Sequence, residues 1–91
     1  GAVAGGGGFA AGGAFAGSDR RMKKNIKLIG KSNSGLKIYA FEYINKTLGK
    51  GVWQGVMADE VPNNAVIKNF AGDFDGVDYS KIDVEFKQLS L

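Results

Sequence analysis

The chain has 91 residues, enough for one small domain but not for two. It contains no histidine and no cysteine, which excludes disulfides and thiolate catalysis and argues against a zinc site. Residues 1–50 carry nine basic and two acidic side chains and residues 51–91 carry three and seven, so we expect the two halves to compensate each other and expect no nucleic-acid partner.

Residues 1–17 form an uncharged segment of eight glycines, six alanines, two phenylalanines and one valine. Glycine at this density disfavours an independent helix, so we predict a linker or a subunit-packing segment at the end of a longer upstream region. Membrane contact by residues 1–17 is the less favoured alternative, because a span needs about 20 mostly apolar residues and glycine and alanine supply little transfer energy. The folded domain is therefore predicted to cover residues 18–91.

A serine and a basic cluster begin directly after this segment. Ser18 follows Gly17, and Lys23 lies within a run of basic residues. A serine hydroxyl and a neutral lysine amine can cut a peptide bond without histidine or metal, provided that the pKa of the lysine falls from about 10.4 towards about 7–8. The ordinary alternative is that Ser18 caps a helix and that the basic run is a solvated face.

The remaining pattern predicts an α+β domain that is mostly β, with four to five short strands and little helix. Aromatic and β-branched residues alternate most clearly over residues 36–44. Both faces of this strand are apolar, so we expect one face to pack a core and the other to pack a partner element or subunit. The candidate assembly residues are Tyr39 and Phe41 on this strand and Trp53 on the predicted strand 52–57. The other predicted elements are strands at 25–29 and 52–57, a helical turn at 58–61, and a hairpin formed by 65–70 and 74–79.

Three blocks of the sequence occur in the order and spacing of one known family. They are SDRRMKKNI at 18–26, GVMADEV at 55–61 and VDYSKI at 77–82. Together they resemble the C-terminal intramolecular chaperone domain of phage tailspikes and tail fibres, of the endosialidase type. The first block is the most specific of the three, and the likeness covers about residues 18–82.

This resemblance implies a trimeric assembly domain in a phage tail or fibre, made in the cytoplasm of the bacterial host and built into the virion. Its partners would be two further copies of itself and other virion proteins, with no cofactor and no small-molecule substrate. By the same resemblance Ser18 is the candidate nucleophile, Lys23 the candidate general base, and Gly17–Ser18 the scissile bond. Because five positions separate Ser18 from Lys23, their meeting requires a turn or a neighbouring subunit.

Two functions remain open at this point. In the first, the chain is an assembly chaperone that promotes trimerisation and cleaves itself as a serine peptidase. In the second, it is an uncleaved, permanently retained end domain of a tail, fibre or DNA-ejection protein. The two differ in whether the Gly17–Ser18 bond is ever cut.

Overall fold

Two antiparallel β-sheets, connected by short 3-10 turns, make up the fold. The computed structural model describes residues 15–90. About half of these residues are in strands and about 20% are helical, and no helix among them reaches seven residues. The predicted fold class, a small and mostly β domain with little helix, is confirmed. Most of the predicted linker, residues 1–14, lies outside the described residues.

The smaller sheet has three strands in the order β1-β6-β5, and the larger has four in the order β2-β3-β4-β7. Every neighbouring pair in both sheets is antiparallel. The strands are β1 (Phe15–Gly17), β2 (Lys23–Lys31), β3 (Lys37–Tyr43), β4 (Val52–Gly55), β5 (Val66–Ala71), β6 (Phe74–Asp78) and β7 (Lys87–Ser90).

The strand β3 shows why this sequence folds as a sheet. Its odd-numbered aromatic residues, Tyr39, Phe41 and Tyr43, are buried, while the even-numbered residues between them are half-buried. Alternation with period two places all three rings on one face, where they pack against β4 and the segment before β7. The core of the domain therefore lies on the aromatic face of the larger sheet.

Two strands lie where the sequence pattern predicted none. The strand β1 uses the last three residues of the Gly/Ala-rich segment and pairs with β6, with Ala16 opposite Val77. The strand β7 lies in the tail, where the pattern is weak, and pairs with β4. Both are short edge strands held by tertiary pairing, so local propensity carried little information about them.

Two asparagines adopt left-handed backbone conformations inside strands. Asn25 has φ 52° and Asn69 has φ 55°, and each lies at a register shift in its strand pair. Asparagine tolerates this conformation better than most residues, and a bulge is where it is needed. The asparagine of the first sequence block is thus explained by the bend of β2.

The segment between β5 and β6 confirms the predicted hairpin. Gly72, with φ 65°, makes the turn between the two strands.

Within residues 15–90, no helix has both the length and the apolar character that a membrane crossing requires.

Candidate functional site

Ser18 lies at the junction of the two sheets, between β1 and the 3-10 turn of residues 20–22. It is fully buried. Its N–H donates to the carbonyl oxygen of Asp75 at 3.0 Å, and its own carbonyl accepts from the N–H of Ala58 at 2.8 Å. The backbone of Ser18 is therefore fixed on both sides by segments from distant parts of the chain.

Asp19 anchors this junction to the β5–β6 hairpin. Its carboxylate accepts two bonds from the Arg21 side chain, at 2.9 and 2.7 Å, one from the Arg21 N–H and one from the Asp75 N–H. The Arg21 hydrogen bonds hold the pKa of Asp19 well below its usual range. Asp19, and not Ser18, is the residue that caps the 3-10 turn. The Ser-Asp-x-Arg pattern thus has a local structural reason, an aspartate held by the arginine two positions later.

The hydroxyl of Ser18 contacts the second and third sequence blocks. Its Oγ lies 2.9 Å from the hydroxyl oxygen of Tyr79, which also accepts the N–H of Val56 at 3.0 Å. Burial raises the pKa of Tyr79 to about 12, so this hydroxyl stays neutral. Gly55 makes room for it, because a Cβ at Gly55 would collide with the Tyr79 hydroxyl. The absence of a side chain at Gly55 thus accommodates the side chain of Tyr79.

Lys23 is buried, in contrast to the rest of the basic run. Its Nζ donates to the carbonyl oxygen of Val56 at 2.8 Å and lies 3.9 Å from the centre of the Phe41 ring. Burial, and to a smaller degree the charge of Arg20, lowers the pKa of Lys23 from 10.5 to about 7. The other four basic side chains of the run are exposed: Arg20, Arg21, Lys24 and Lys27. The expectation that the basic run is a solvated face is therefore correct for these four side chains but not for Lys23.

Ser18 and Lys23 are linked indirectly, by hydrogen bonds that involve the backbone of Val56. The N–H of Val56 holds the tyrosine that bonds Ser18, and its carbonyl oxygen holds the amine of Lys23. The two side chains share this peptide segment but make no direct hydrogen bond, since Ser18 bonds Tyr79 and Lys23 bonds Val56. The structure therefore places both predicted residues in one buried site, where the hydroxyl of Ser18 and the amine of Lys23 bond different partners.

The carbonyl of Gly17 has a side-chain donor that sequence reasoning missed. The hydroxyl of Tyr43 donates to this oxygen at 2.7 Å. Both ends of the Gly17–Ser18 peptide are thus hydrogen-bonded, the carbonyl by Tyr43 and the N–H by Asp75. Only the alternating pattern of β3 pointed to Tyr43 as a core residue, and nothing local indicated where its hydroxyl would point. Tyr79 was contained in the third sequence block, but without a role.

The three aromatic residues predicted to support assembly lie in the core of the chain itself. Tyr39, Phe41 and Trp53 are 8%, 0% and 1% exposed. Phe41 packs edge-on against Tyr43, and Trp53 stacks on Phe86 with ring centres 5.1 Å apart. A change at these positions would therefore act on assembly through the stability of each chain.

Among residues 15–90 there is no group of three or more acidic side chains placed to hold a metal ion. Comparison of the chain with protein-family models, with curated proteins and with solved structures gave no match.

Proposed function

We propose that this chain is the C-terminal assembly domain of a phage virion protein, that it acts as a trimer, and that it cleaves its own chain between Gly17 and Ser18. The observation that carries the proposal is the surroundings of this bond. A fully buried serine and a buried lysine with a pKa of about 7 lie on either side of Val56, next to a peptide whose carbonyl is hydrogen-bonded by a tyrosine.

The convergence of the three sequence blocks supports the same conclusion. Ser18 comes from the first block, Val56 from the second and Tyr79 from the third, and hydrogen bonds connect them over a sequence separation of 61 residues. Residues that serve only a local turn would not need to meet in this way. Residues from all three blocks therefore contribute to one site, and this supports the proposal.

The chemistry follows from the position of Ser18 on the leaving side of the bond. Its Oγ attacks the carbonyl carbon of Gly17, the oxygen–carbon bond forms, and the carbon–nitrogen bond breaks to give an ester and the free amine of Ser18. Lys23, when neutral, takes the hydroxyl proton and passes it to the departing nitrogen. Water then hydrolyses the ester, which leaves a carboxylate on Gly17 and restores the serine hydroxyl.

The resting arrangement has to change before this proton can be transferred. The amine of Lys23 must turn its lone pair towards the hydroxyl of Ser18, and that hydroxyl must leave Tyr79. Catalytic hydrogen bonds are often loose in a resting state and tighten only in the reacting complex. A neutral amine still carries N–H donors for Val56, so the lysine keeps one partner while its lone pair becomes available.

A role in assembly gives a physical reason for self-cleavage at this bond. Entwined trimers are rich in long-range contacts and fold slowly, which leaves exposed strands that can aggregate. A small domain that trimerises first raises the local concentration of the remaining chains to about millimolar. Cleavage afterwards would remove the route back to separate chains.

Ser18→Ala in the parent chain, with its upstream region, tests the proposal. The wild-type chain is expected to yield two fragments that meet at Gly17–Ser18, while Ser18→Ala and Lys23→Met stay intact. The intact mass after expression and purification under native conditions measures this directly. Oligomeric state, measured by light scattering on the uncut Ser18→Ala chain, is expected to be a trimer.

Two matched controls separate chemistry from general damage. Ser34→Ala removes a serine hydroxyl from an exposed loop, and Lys24→Ala removes the exposed neighbour of Lys23. Both controls should cleave like the wild type. A wild-type chain that remains whole, or a Ser18→Ala chain that is cut at the same bond, would contradict self-cleavage.

A retained structural end domain is the second candidate, and one observation favours it. The hydroxyl of Ser18 is completely buried and bonded to Tyr79, which is also what a permanent packing contact looks like. In that case the wild-type chain and Ser18→Ala both remain uncut, and Ser18→Ala assembles like the wild type. A charged substitution at Phe41 or Trp53, both in the core, would still abolish assembly because the chain would not fold.

A further inference from the structure

The carbonyl oxygen of Gly17 is the atom on which negative charge would develop during the proposed cleavage. When Oγ of Ser18 attacks, this oxygen becomes an alkoxide in the tetrahedral intermediate. The hydroxyl of Tyr43 already donates to it at 2.7 Å, the usual length of a well-formed bond between two oxygen atoms. Donors aimed at a developing oxyanion are among the largest contributors to catalysis of acyl transfer.

The ring of Tyr43 is held rigidly in this position. It is 1% exposed and packs edge-on against Phe41, with ring centres 5.3 Å apart. Trp53 packs against it at 6.4 Å. A donor that is fixed before the reaction costs no reorganisation when the charge appears. Tyr43 is therefore placed as a prepared donor and does not depend on a movement of its own ring.

The surroundings of the carbonyl are apolar as well. A cavity of about 250 Å³ borders Gly17 and Tyr43, and its other lining residues are Met22, Leu48, Phe70 and Ala71. A hydrogen bond to a charged oxygen is stronger in such surroundings than in water. Burial raises the pKa of the Tyr43 hydroxyl well above 10.0, so it keeps its proton over the range in which the lysine would titrate.

We infer that Tyr43 is a further catalytic residue, which polarises the Gly17 carbonyl and stabilises its oxyanion by hydrogen bonding. This inference rests on the proposed self-cleavage. Tyr43 donates the hydrogen bond and keeps its proton throughout, while the proton of Ser18 still travels to the departing nitrogen. The alternative is a purely structural bond that satisfies a buried carbonyl and contributes only to stability.

Tyr43→Phe in the full parent chain distinguishes the two roles. Loss of one oxyanion donor is expected to slow cleavage by about 100-fold or more while the variant stays folded. Tyr39→Phe is the matched control, because it removes the same group from the same strand face, where the hydroxyl bonds Glu60 away from the scissile carbonyl. Cleavage rates are compared by mass spectrometry at a pH and temperature at which circular dichroism shows both variants fully folded.

A ring-fluorinated tyrosine at position 43 gives a second test that does not depend on how well phenylalanine is tolerated. Fluorine makes the hydroxyl a stronger donor, so a catalytic hydrogen bond predicts faster cleavage. A structural bond predicts an unchanged rate.

The outcomes separate this inference from the proposed function. A folded Tyr43→Phe chain that cleaves at the wild-type rate overturns the role of Tyr43 and leaves self-cleavage intact. If Tyr43→Phe does not fold, an unchanged rate with the fluorinated residue overturns it in the same way. A wild-type chain that never cleaves overturns the proposed function and this inference with it.

Discussion

Lys23 is the residue whose surroundings depart most from those of its type. A lysine rarely lies in a core, because removing an ammonium group from water costs several kcal/mol. Here the amine keeps one carbonyl partner and one aromatic face, yet its pKa still falls from 10.5 to about 7. The site therefore holds a base that is partly neutral at physiological pH, and the fold is less stable because of it.

The first prediction concerns the pH dependence of cleavage. The proposed reaction needs neutral Lys23, so the rate should be low below pH 7, rise as the pH passes through about 7, and level off above it. Fragment formation, followed over time in buffers of different pH, measures this profile. A rate that continues to rise towards the ordinary lysine value of 10.5 would mean that the amine is not desolvated in the reacting state.

The second prediction concerns the pH dependence of stability, with Ser18→Ala as the background to prevent cleavage. Between about pH 7 and 10.5 the unfolded chain binds a proton at Lys23 that the folded chain does not. The contribution of Lys23 to the free energy of unfolding should therefore rise with pH across this window, with a slope of at most roughly 1.4 kcal/mol per pH unit. Urea unfolding at a series of pH values measures it.

Lys23→Met is the control for this second experiment. It keeps a flexible side chain of similar volume and removes the titrating amine, at the cost of the bond to Val56. The variant should lose the pH-dependent contribution and be the more stable protein at neutral pH. Equal slopes in the two proteins would show that Lys23 is not the group responsible.

The strand β4 and the turn after it position two side chains of the site, Tyr79 and Lys23. Gly55 ends β4, and the next residue, Val56, directs its N–H to Tyr79 and its carbonyl to Lys23. A side chain at Gly55 would also come within 3.4 Å of Phe41 and Phe86, so there is little room for the tyrosine to retreat. The spacing of the second sequence block thus reflects packing as well as hydrogen bonding.

The third prediction is that Gly55→Ala destabilises the domain and slows cleavage. Overpacking should cost about 1–3 kcal/mol. Displacement of the Tyr79 hydroxyl should also disturb Val56, whose N–H bonds Tyr79 and whose carbonyl positions the amine of Lys23. Gly30→Ala is the control in another strand, since nothing lies within 4 Å of a Cβ at that position. Urea unfolding and the cleavage rate are measured for both variants. If Gly55→Ala behaves like Gly30→Ala, the glycine is not required for the site.

The agreement between sequence and structure differs from element to element. The strand β3 was predicted nearly residue for residue, because alternation and aromatic content agree over its whole length. The hairpin of β5 and β6 was found from its turn residues. Strand β1 was assigned to a linker, because its three residues resemble the Gly/Ala-rich segment before them and its stability comes from pairing with β6. Short edge strands carry too little local signal to be recognised.

The molecule as a whole brings the site together from four separate parts of the chain. Gly17 ends β1 and Ser18 follows it, Tyr43 ends β3, Val56 follows β4, and Tyr79 follows β6. No one of these segments carries the complete set of hydrogen bonds. The site exists only when both sheets have formed, so cleavage and folding are expected to be coupled.

The fourth prediction is that the unfolded chain does not cleave itself. The wild-type parent chain, isolated from inclusion bodies in denaturing urea, should be intact and should yield fragments only after dilution into native buffer. Mass spectrometry of samples quenched in acid follows the process. Cleavage at Gly17–Ser18 in urea would show that the bond is labile by itself and that the folded site is not needed.

The sequence by itself determined the fold class and drew attention to Ser18 and Lys23. Period-two alternation and turn residues act over a few neighbouring positions, and the absence of histidine and cysteine left few catalytic options besides a serine and a lysine. The tertiary structure decided that Lys23 is buried while its basic neighbours are exposed, and that the hydroxyls of Tyr43 and Tyr79 point at Gly17 and Ser18. These contacts join residues that are 26 and 61 positions apart, and burial, which sets the pKa of Lys23, is a property of the assembled core and not of any local pattern.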